Sequence, residues 1–335
     1  MKHSVCLVPG DGIGPEVARA ARDVIDATNA GIEWIELAAG AAALESHGAV
    51  LPDETVQSIE AYRVALKGPI TTPIGKGFTS VNVGLRKRLN LFAAVRPVRS
   101  MPGIKTRYND VDIVVIRENT EGLYSGIENE ITPGVVQSLK IATKEACWQI
   151  AKFALNYAKT RDRKRITVFH KANIMKLSDG LFLECAHGAH EKFGDGVELD
   201  ELIVDNGCMQ LVSDPTQFDI VLMENLYGDI VSDLCAGLVG GLGVVPGANI
   251  GDGCAVFEAV HGSAPTIAGK NIANPLALIM SGAMMLNHLG ETGAADRLKN
   301  AYNGVLKEGN PEELTRDIGG SGTTSGFAEA ITKRL

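Results

Sequence analysis

Over the first hundred positions, apolar residues gather into short runs separated by longer amphipathic stretches. The runs at 4–8, 32–37, 63–66 and 91–95 predict strands. Apolar positions recurring every three or four residues predict helices at 14–29, 40–47, 53–61 and 83–89. Such alternation predicts a mostly parallel sheet with helices on its faces. Two further strands with polar, charged exits are predicted in "DVDIVVIREN" (110–119) and "RITVFHKAN" (165–173). Between them, 143–160 sets Cys147, Ile150, Ala151, Ala154, Leu155 and Ala158 at helical spacing. From 228 to 250 the chain is rich in small residues and punctuated by glycine, which suits close helix packing and tight turns near a shared interface. After 275 it turns helical again, with a final helix predicted to be capped at Thr324 or Ser325.

The opening stretch "SVCLVPGDGIGPE" (4–16) resembles a dinucleotide fingerprint, an apolar run followed by glycines and a helix start. A true fingerprint reads G-x-G-x-x-G, with each glycine serving the turn, the pyrophosphate or the helix packing. Here Gly10, Gly12 and Gly14 alternate, and Pro15 stands where the third fingerprint glycine belongs. Proline suits the first turn of a helix, where its missing N–H costs nothing. The register therefore predicts a tight strand-to-helix turn instead of a pyrophosphate loop, although Glu33 and Glu36 mimic the acidic residue a fingerprint would want.

Composition narrows the classes. The 335 residues suffice for two domains, and the 45% apolar and 21% charged residues are ordinary for a globular protein. A net charge of −8 with dispersed lysines and arginines gives no broad basic surface for nucleic acid. The most apolar stretch, 235–250, is too short and too glycine-rich for a membrane span. The six cysteines form no C-x-x-C pair, which predicts free thiols and a reducing compartment. With no targeting leader legible before the first strand, the expected location is the cytoplasm.

Several residues carry candidate chemistry. Asp229 and Asp233 in "YGDIVSDL" lie four apart, so on a helix their carboxylates share one face. The reading is divided between a solvated acidic face and a site for a hard cation such as Mg²⁺ or Mn²⁺. Arg86 lies on a helix, while Arg96 and Arg117 are expected at strand C-termini, where open α/β sheets place their ligands. Guanidinium forks suit a substrate with several carboxylates, and a surface ion pair is the plainer role for each. Tyr124 and Lys171 follow strands into polar loops; with lowered pKa values such groups pass protons. His187 and His190 have metal-ligand spacing but no acidic partner nearby, so a surface or interface placement is expected. His261 sits in a glycine-flanked loop suited to meeting a ligand.

Taken in order, "PGDGIGPE", "KGPITTP", "LRKRLNLFAAVRP", "IRENTEGLYSGIE", "HKANIMK", "NLYGDIVSDL", "GGLGVVPGANIG" and "EAVHGSAPTIAGKNIANP" resemble the β-decarboxylating dehydrogenases of 2-hydroxy acids. That family acts on isocitrate, isopropylmalate, homoisocitrate or tartrate, and the resemblance is nearest to NAD-dependent isocitrate dehydrogenases. It implies a twisted mixed sheet in two α/β domains that is not a Rossmann fold. The large domain would comprise 1–98 plus 255–335 and the small domain 99–254. It also implies a homo-oligomer, at least a dimer, interlocked through 130–143, with Lys171 and Asp205 reaching into the partner's cleft.

The resemblance further implies that Arg86, Arg96 and Arg117 clamp the carboxylates of isocitrate. Ser80 and Asn82 in "TSVNVGLR" would select it over an alkyl-tailed acid. Asp205, Asp229 and Asp233 would hold Mg²⁺ or Mn²⁺, Lys171 and Asp205 would serve the first proton removal, and Tyr124 would protonate the enol. Cofactor contacts would come from Thr72, Asn173, His261, Gly262, Ser263, Ala264, Thr266, Ile267 and Asn274. Thr266 and Ile267 depart from both the aspartate usual in NAD enzymes and the Lys-Tyr usual in NADP enzymes. The segment "TRDIGG", with Arg316 and Gly320, looks NAD-type. NAD is therefore the expected cofactor, with NADP the lesser alternative.

Overall fold

The computed structural model describes residues 2–71 and 80–335, so Thr72 lies outside the described residues. In chain order the elements are β1 (His3–Val8), α1 (Gly14–Ala27), β2 (Ile32–Glu36), α2 (Ala41–His47), α3 (Asp53–Tyr62), β3 (Val64–Lys67), α4 (Val81–Arg88), β4 (Ala93–Arg99) and β5 (Asp112–Glu118). Next come β6 (Glu128–Thr132), β7 (Val135–Ser138), α5 (Lys144–Thr160), β8 (Arg165–His170), α6 (Ser178–Phe193), β9 (Glu198–Ile203), α7 (Val204–Ser213) and β10 (Ile220–Met223). The chain ends with α8 (Asn225–Leu238), β11 (Pro246–Ile250), β12 (Ala255–Ala259), α9 (Leu276–His288), α10 (Thr292–Glu308) and α11 (Thr324–Thr332).

Ten strands form one mixed sheet in the order β2-β1-β3-β12-β11-β4-β5-β10-β8-β9. Both flanks are parallel, as the alternation predicted. The middle is not: β11 runs antiparallel to both β12 and β4, and β4 antiparallel to β5. This is where the chain passes from its first hundred residues into the middle segment and back, and the antiparallel seam follows from that double crossing. It gives a mixed α/β fold without the strand order of a dinucleotide-binding domain.

Local chemistry explains most boundaries. The six residues predicted to share a face of α5 are the six it buries, and Thr143 caps the helix by accepting from the Ala146 N–H at 3.2 Å. In α11 the cap is Thr323, which accepts from Gly326 N, one residue before the expected position. Arg96 lies inside β4 and not at its end. The strand runs on through Pro97 because β11 pairs only as far as Val95, so no neighbour on that side asks for the missing N–H. All six cysteines are unpaired.

The hairpin β6–β7 stands apart as a two-stranded sheet. It exposes Ile131, Val135 and Val136, with Val136 at 68%. No helix among the described residues is long and apolar enough to cross a membrane.

Candidate active site

The opening turn settles what the alternate glycines do. Gly12 has φ +61°, and a Cβ there would stand 2.0 Å from the Ser263 carbonyl oxygen. The turn is thus pressed against the 261–264 loop, whose Ser263 carbonyl accepts from the Ile13 N–H at 2.9 Å. The Asp11 carboxylate between the glycines accepts from Ala41 N at 3.1 Å, Ala42 N at 3.3 Å and Thr71 N at 2.8 Å. One buried carboxylate therefore ties three loops together, a role the sequence pattern did not assign.

These loops border a polar cleft of about 240 Å³. Ser80, Asn82, Arg86, Arg96, Tyr124, Asp229, Asp233, His261 and Gly262 line it, with Lys67 and Glu258. Glu224 starts α8 by accepting from Leu226 N and Tyr227 N, at 3.2 and 3.0 Å, and the helix then presents Asp229 and Asp233 one turn apart. Arg117 lies behind them, 1% exposed. Its Nε and Nη2 donate to Asn225 Oδ1 at 3.0 and 2.6 Å, and its Nη1 donates to Asp229. The Tyr124 hydroxyl donates to the other Asp229 oxygen, and the Arg117 guanidinium sits 5.0 Å from the centre of the Tyr124 ring. Arg96 donates to Ser232 and, at 3.3 Å, to Asp233.

A second network runs along the floor. Glu258 accepts from Lys67 Nζ at 2.7 Å and from Asn249 Nδ2 at 2.6 Å, with Arg86 Nη2 3.5 Å away. Asn119 Nδ2 in turn donates to Asn249 Oδ1 at 2.9 Å. Sequence patterning passed over Lys67, Glu258, Asn249 and Asn225. A signal existed for the first two, since "VALK" and "AVFEA" each carry one charge in an otherwise buried strand. A buried charge in an apolar strand requires a partner.

The electrostatics set the two helix carboxylates apart. Burial opposes ionisation of Asp229, but Arg117 and the Tyr124 hydroxyl outweigh it and hold its pKa low. Burial raises that of Asp233, with Arg96 pulling the other way and Asp229 adding to the rise. Burial lowers Arg117 to about 10, helped by Arg86. For Glu258 burial is overcome by Lys67 and Arg86, which draw its pKa far below the carboxylate range. Tyr124 reverses the expectation of a lowered value. Burial and the hydrogen bond to Asp229 raise its pKa, so the phenol holds its proton.

Three buried polar atoms around the cleft have no partner among the described residues: Arg86 Nε, Asn82 Oδ1 and His261 Nε2. A buried orphan donor or acceptor is costly, and a bound ligand is one way to satisfy it.

Other candidates lie elsewhere. Lys171 Nζ donates to Asp205 at the start of α7, which lowers the Asp205 pKa. That exposed pair does not line the cleft, nor does the exposed Asn173. Ser263 shares a 2.6 Å hydrogen bond with the Thr71 hydroxyl, and Ala264 holds φ +38° before the turn Pro265–Ile267 that carries Thr266 and Ile267. Asn274 Nδ2 donates to Asp317 at 2.8 Å, so the Arg316 segment lies beside this loop. His187 does have an acidic partner, Glu201 on β9 at 2.9 Å, contrary to expectation; β9 was not foreseen, and the pair forms across elements.

Asp229 and Asp233 offer hard oxygen donors of the kind a divalent cation takes, and part of Asp233 faces the cleft freely. Among the described residues no group of three metal-ligating side chains exists. The two carboxylates suit a hard cation, and Asp205, the third ligand the resemblance implied, lies apart from them.

Comparison with known proteins places the whole chain in one family. A family model described as isocitrate/isopropylmalate dehydrogenase matches residues 4–331. The NAD isocitrate dehydrogenase catalytic subunit 5 (mitochondrial) of Arabidopsis thaliana is 52% identical, over 98% of this chain and 87% of its own. A mitochondrial NAD isocitrate dehydrogenase regulatory subunit of Dictyostelium discoideum is 51% identical, over 99% and 92%. The chloroplastic 3-isopropylmalate dehydrogenase of Solanum tuberosum is 52% identical, over 88% and 83%. The crystal structure of isocitrate dehydrogenase from Methylococcus capsulatus superposes with a TM-score of 0.95 at 48% identity, covering 99% of both chains. Fold, cleft and relatives agree: this chain belongs to the isocitrate/isopropylmalate dehydrogenase family.

Proposed function

We propose that the protein oxidises and decarboxylates isocitrate to 2-oxoglutarate and CO₂ while reducing NAD. The observation that carries this reading is the cleft's inventory. Arg86 and Arg96 line it with Ser80 and Asn82, Arg117 stands behind, and Arg86 Nε and Asn82 Oδ1 have no partner among the described residues. Such a wall suits a tricarboxylate better than an alkyl chain, because an apolar tail would leave these groups unpaired. Arg86, Arg96 and Arg117 are assigned to the carboxylates, and Ser80 and Asn82 to the one that distinguishes isocitrate. Tyr124, held protonated, is assigned to deliver a proton to the carbon that loses CO₂. Lys171 and Asp205 are assigned to take the hydroxyl proton in a partner's cleft.

Asp229 and Asp233, completed by Asp205 of a second copy, would hold Mg²⁺ or Mn²⁺, whose Lewis acidity favours ionisation of the C2 hydroxyl and stabilises the charge left by CO₂. The loop 261–267 and Asn274 would hold NAD, the hydride acceptor, with Thr72 and Asn173 contributing. In this reading the chain divides into a large domain, 1–98 plus 255–335, and a small domain, 99–254, that close on the cleft. The protein forms at least a homodimer in the cytoplasm.

Initial rates with isocitrate, homoisocitrate, isopropylmalate and tartrate test the proposal. Isocitrate is expected to give the highest kcat/KM; equal activity on isopropylmalate would remove the Ser80 and Asn82 argument. A second reading, a regulatory role, draws on the Dictyostelium relative. It predicts that the purified chain alone is inactive with either metal, whereas retention of Tyr124, Asp229 and Asp233 predicts turnover.

A further inference from the structure

A second crevice, about 470 Å³, opens on the other face of the strands that floor the cleft. Strand alternation separates the two. On β4, Arg96 faces the cleft while Val95, Pro97 and Arg99 line the crevice. On β12, Glu258 faces the cleft and Phe257 the crevice. On β11, Asn249 bonds to Glu258 while Ala248 and Ile250 line the crevice.

Its walls set aromatic and methionine side chains among polar ones, Asn156, Thr160 and Asn287. Phe153 and Tyr157 stand on α5 with ring centres 6.2 Å apart. Opposite them, His288 on α9 lies 5.6 Å from Phe257, beside Met280 and Met284. Burial holds the His288 ring below its ordinary pKa, so at neutral pH it offers an uncharged face.

Its rim is cationic. Arg99, Arg161, Arg163 and Lys299 line it against a single lining carboxylate, Asp112. Arg163 engages Asp112 at 2.7 Å and Asp219 at 2.8 Å, and Lys299 engages Asp296 at 3.2 Å. Arg99 and Arg161 have no carboxylate within 4.0 Å among the described residues, and Arg99 Nη2 donates to the Tyr302 hydroxyl at 3.2 Å. Two guanidinium groups without a carboxylate partner among the described residues thus line a crevice with aromatic walls, whose volume falls in the range of small-molecule sites.

We propose that this crevice is a second ligand site, for an organic anion that pairs a flat apolar body with a phosphate, sulfonate or carboxylate. The body lies between the α5 and α9 walls and the anionic group meets Arg99 and Arg161. The bidentate geometry of guanidinium favours those groups over a halide.

The test is calorimetric titration of the full chain with 1-naphthyl phosphate, repeated with saturating NAD and, separately, with saturating isocitrate. One site per chain is expected, and it stays occupied in the presence of either compound. Inorganic phosphate and 1-naphthol, each carrying half the chemistry, are expected to bind at least about tenfold more weakly, as are Arg99→Gln and Arg161→Gln. Both variants should keep wild-type dehydrogenase rates. If Arg99→Gln does not fold, the exposed Arg161 carries the charge test and Met284→Trp, which fills the slot from α9, carries the cavity test. Absence of saturable binding, displacement by NAD or isocitrate, or unchanged affinity in the soluble variants would overturn the proposal.

Discussion

At the scale of residues, the cleft works through pairs whose charges are fixed by what surrounds them. Tyr124 is the sharpest case, because burial and Asp229 keep its phenol protonated. Tyr124→Phe is expected to lower kcat by about 10²–10⁴-fold, the usual worth of a positioned acid, with little change in KM. Steady-state kinetics on the purified variant check this. Glu258 tests the floor. Its folded pKa is depressed, so the stability it contributes is present above its unfolded pKa of about 4.3 and is lost as pH falls through the folded value. Glu258→Gln leaves Lys67 and Arg86 without their carboxylate and should cost about 3–5 kcal/mol at neutral pH, read by urea unfolding. The difference between variant and wild type should shrink on acidification. Residues whose partners are distant in sequence were the ones missed. Neither Lys67 nor Glu258 reveals the other until β3 and β12 are seen side by side, whereas Arg96, Arg117 and the two helix aspartates stood out because each ends or interrupts an apolar run.

Elements were more legible, since their signals are local. The α5 face could be read residue by residue, and the opening turn was separated from a dinucleotide loop by glycine register alone. The antiparallel seam at β11 could not be read, because strand direction depends on where the chain returns and not on the run itself. The turn has a direct test. Gly12→Ala places a methyl group against the Ser263 carbonyl in a left-handed backbone and is expected to cost at least about 2 kcal/mol. It should also raise the KM for NAD, because the loop it displaces carries His261 and Gly262. A fall in thermal midpoint with unchanged NAD affinity would separate the turn from the cofactor. On α8, Asp229 and Asp233 give a second test. Treatment with a chelator is expected to abolish turnover, and Mg²⁺ or Mn²⁺ to restore it.

At the scale of the whole molecule, the cleft of one chain is lined by Tyr124, Asp229 and Asp233 but not by Lys171 or Asp205. In the proposed reading a second copy supplies that pair, and the exposed Ile131, Val135 and Val136 of the β6–β7 hairpin are assigned to the contact between copies. Tyr124→Phe and Lys171→Met should each be nearly inactive. Refolded together as a randomly paired dimer, they should regain about a quarter of the wild-type sites. No recovery in confirmed heterodimers would place Lys171 in its own chain's reaction. The central claim is the reaction itself, and one measurement reaches it most directly: stoichiometry and kcat/KM of the purified chain with isocitrate and Mg²⁺, comparing NAD with NADP. The account predicts one 2-oxoglutarate and one CO₂ for each NADH formed, with the higher kcat/KM for NAD. Absence of isocitrate turnover with either cofactor would contradict it.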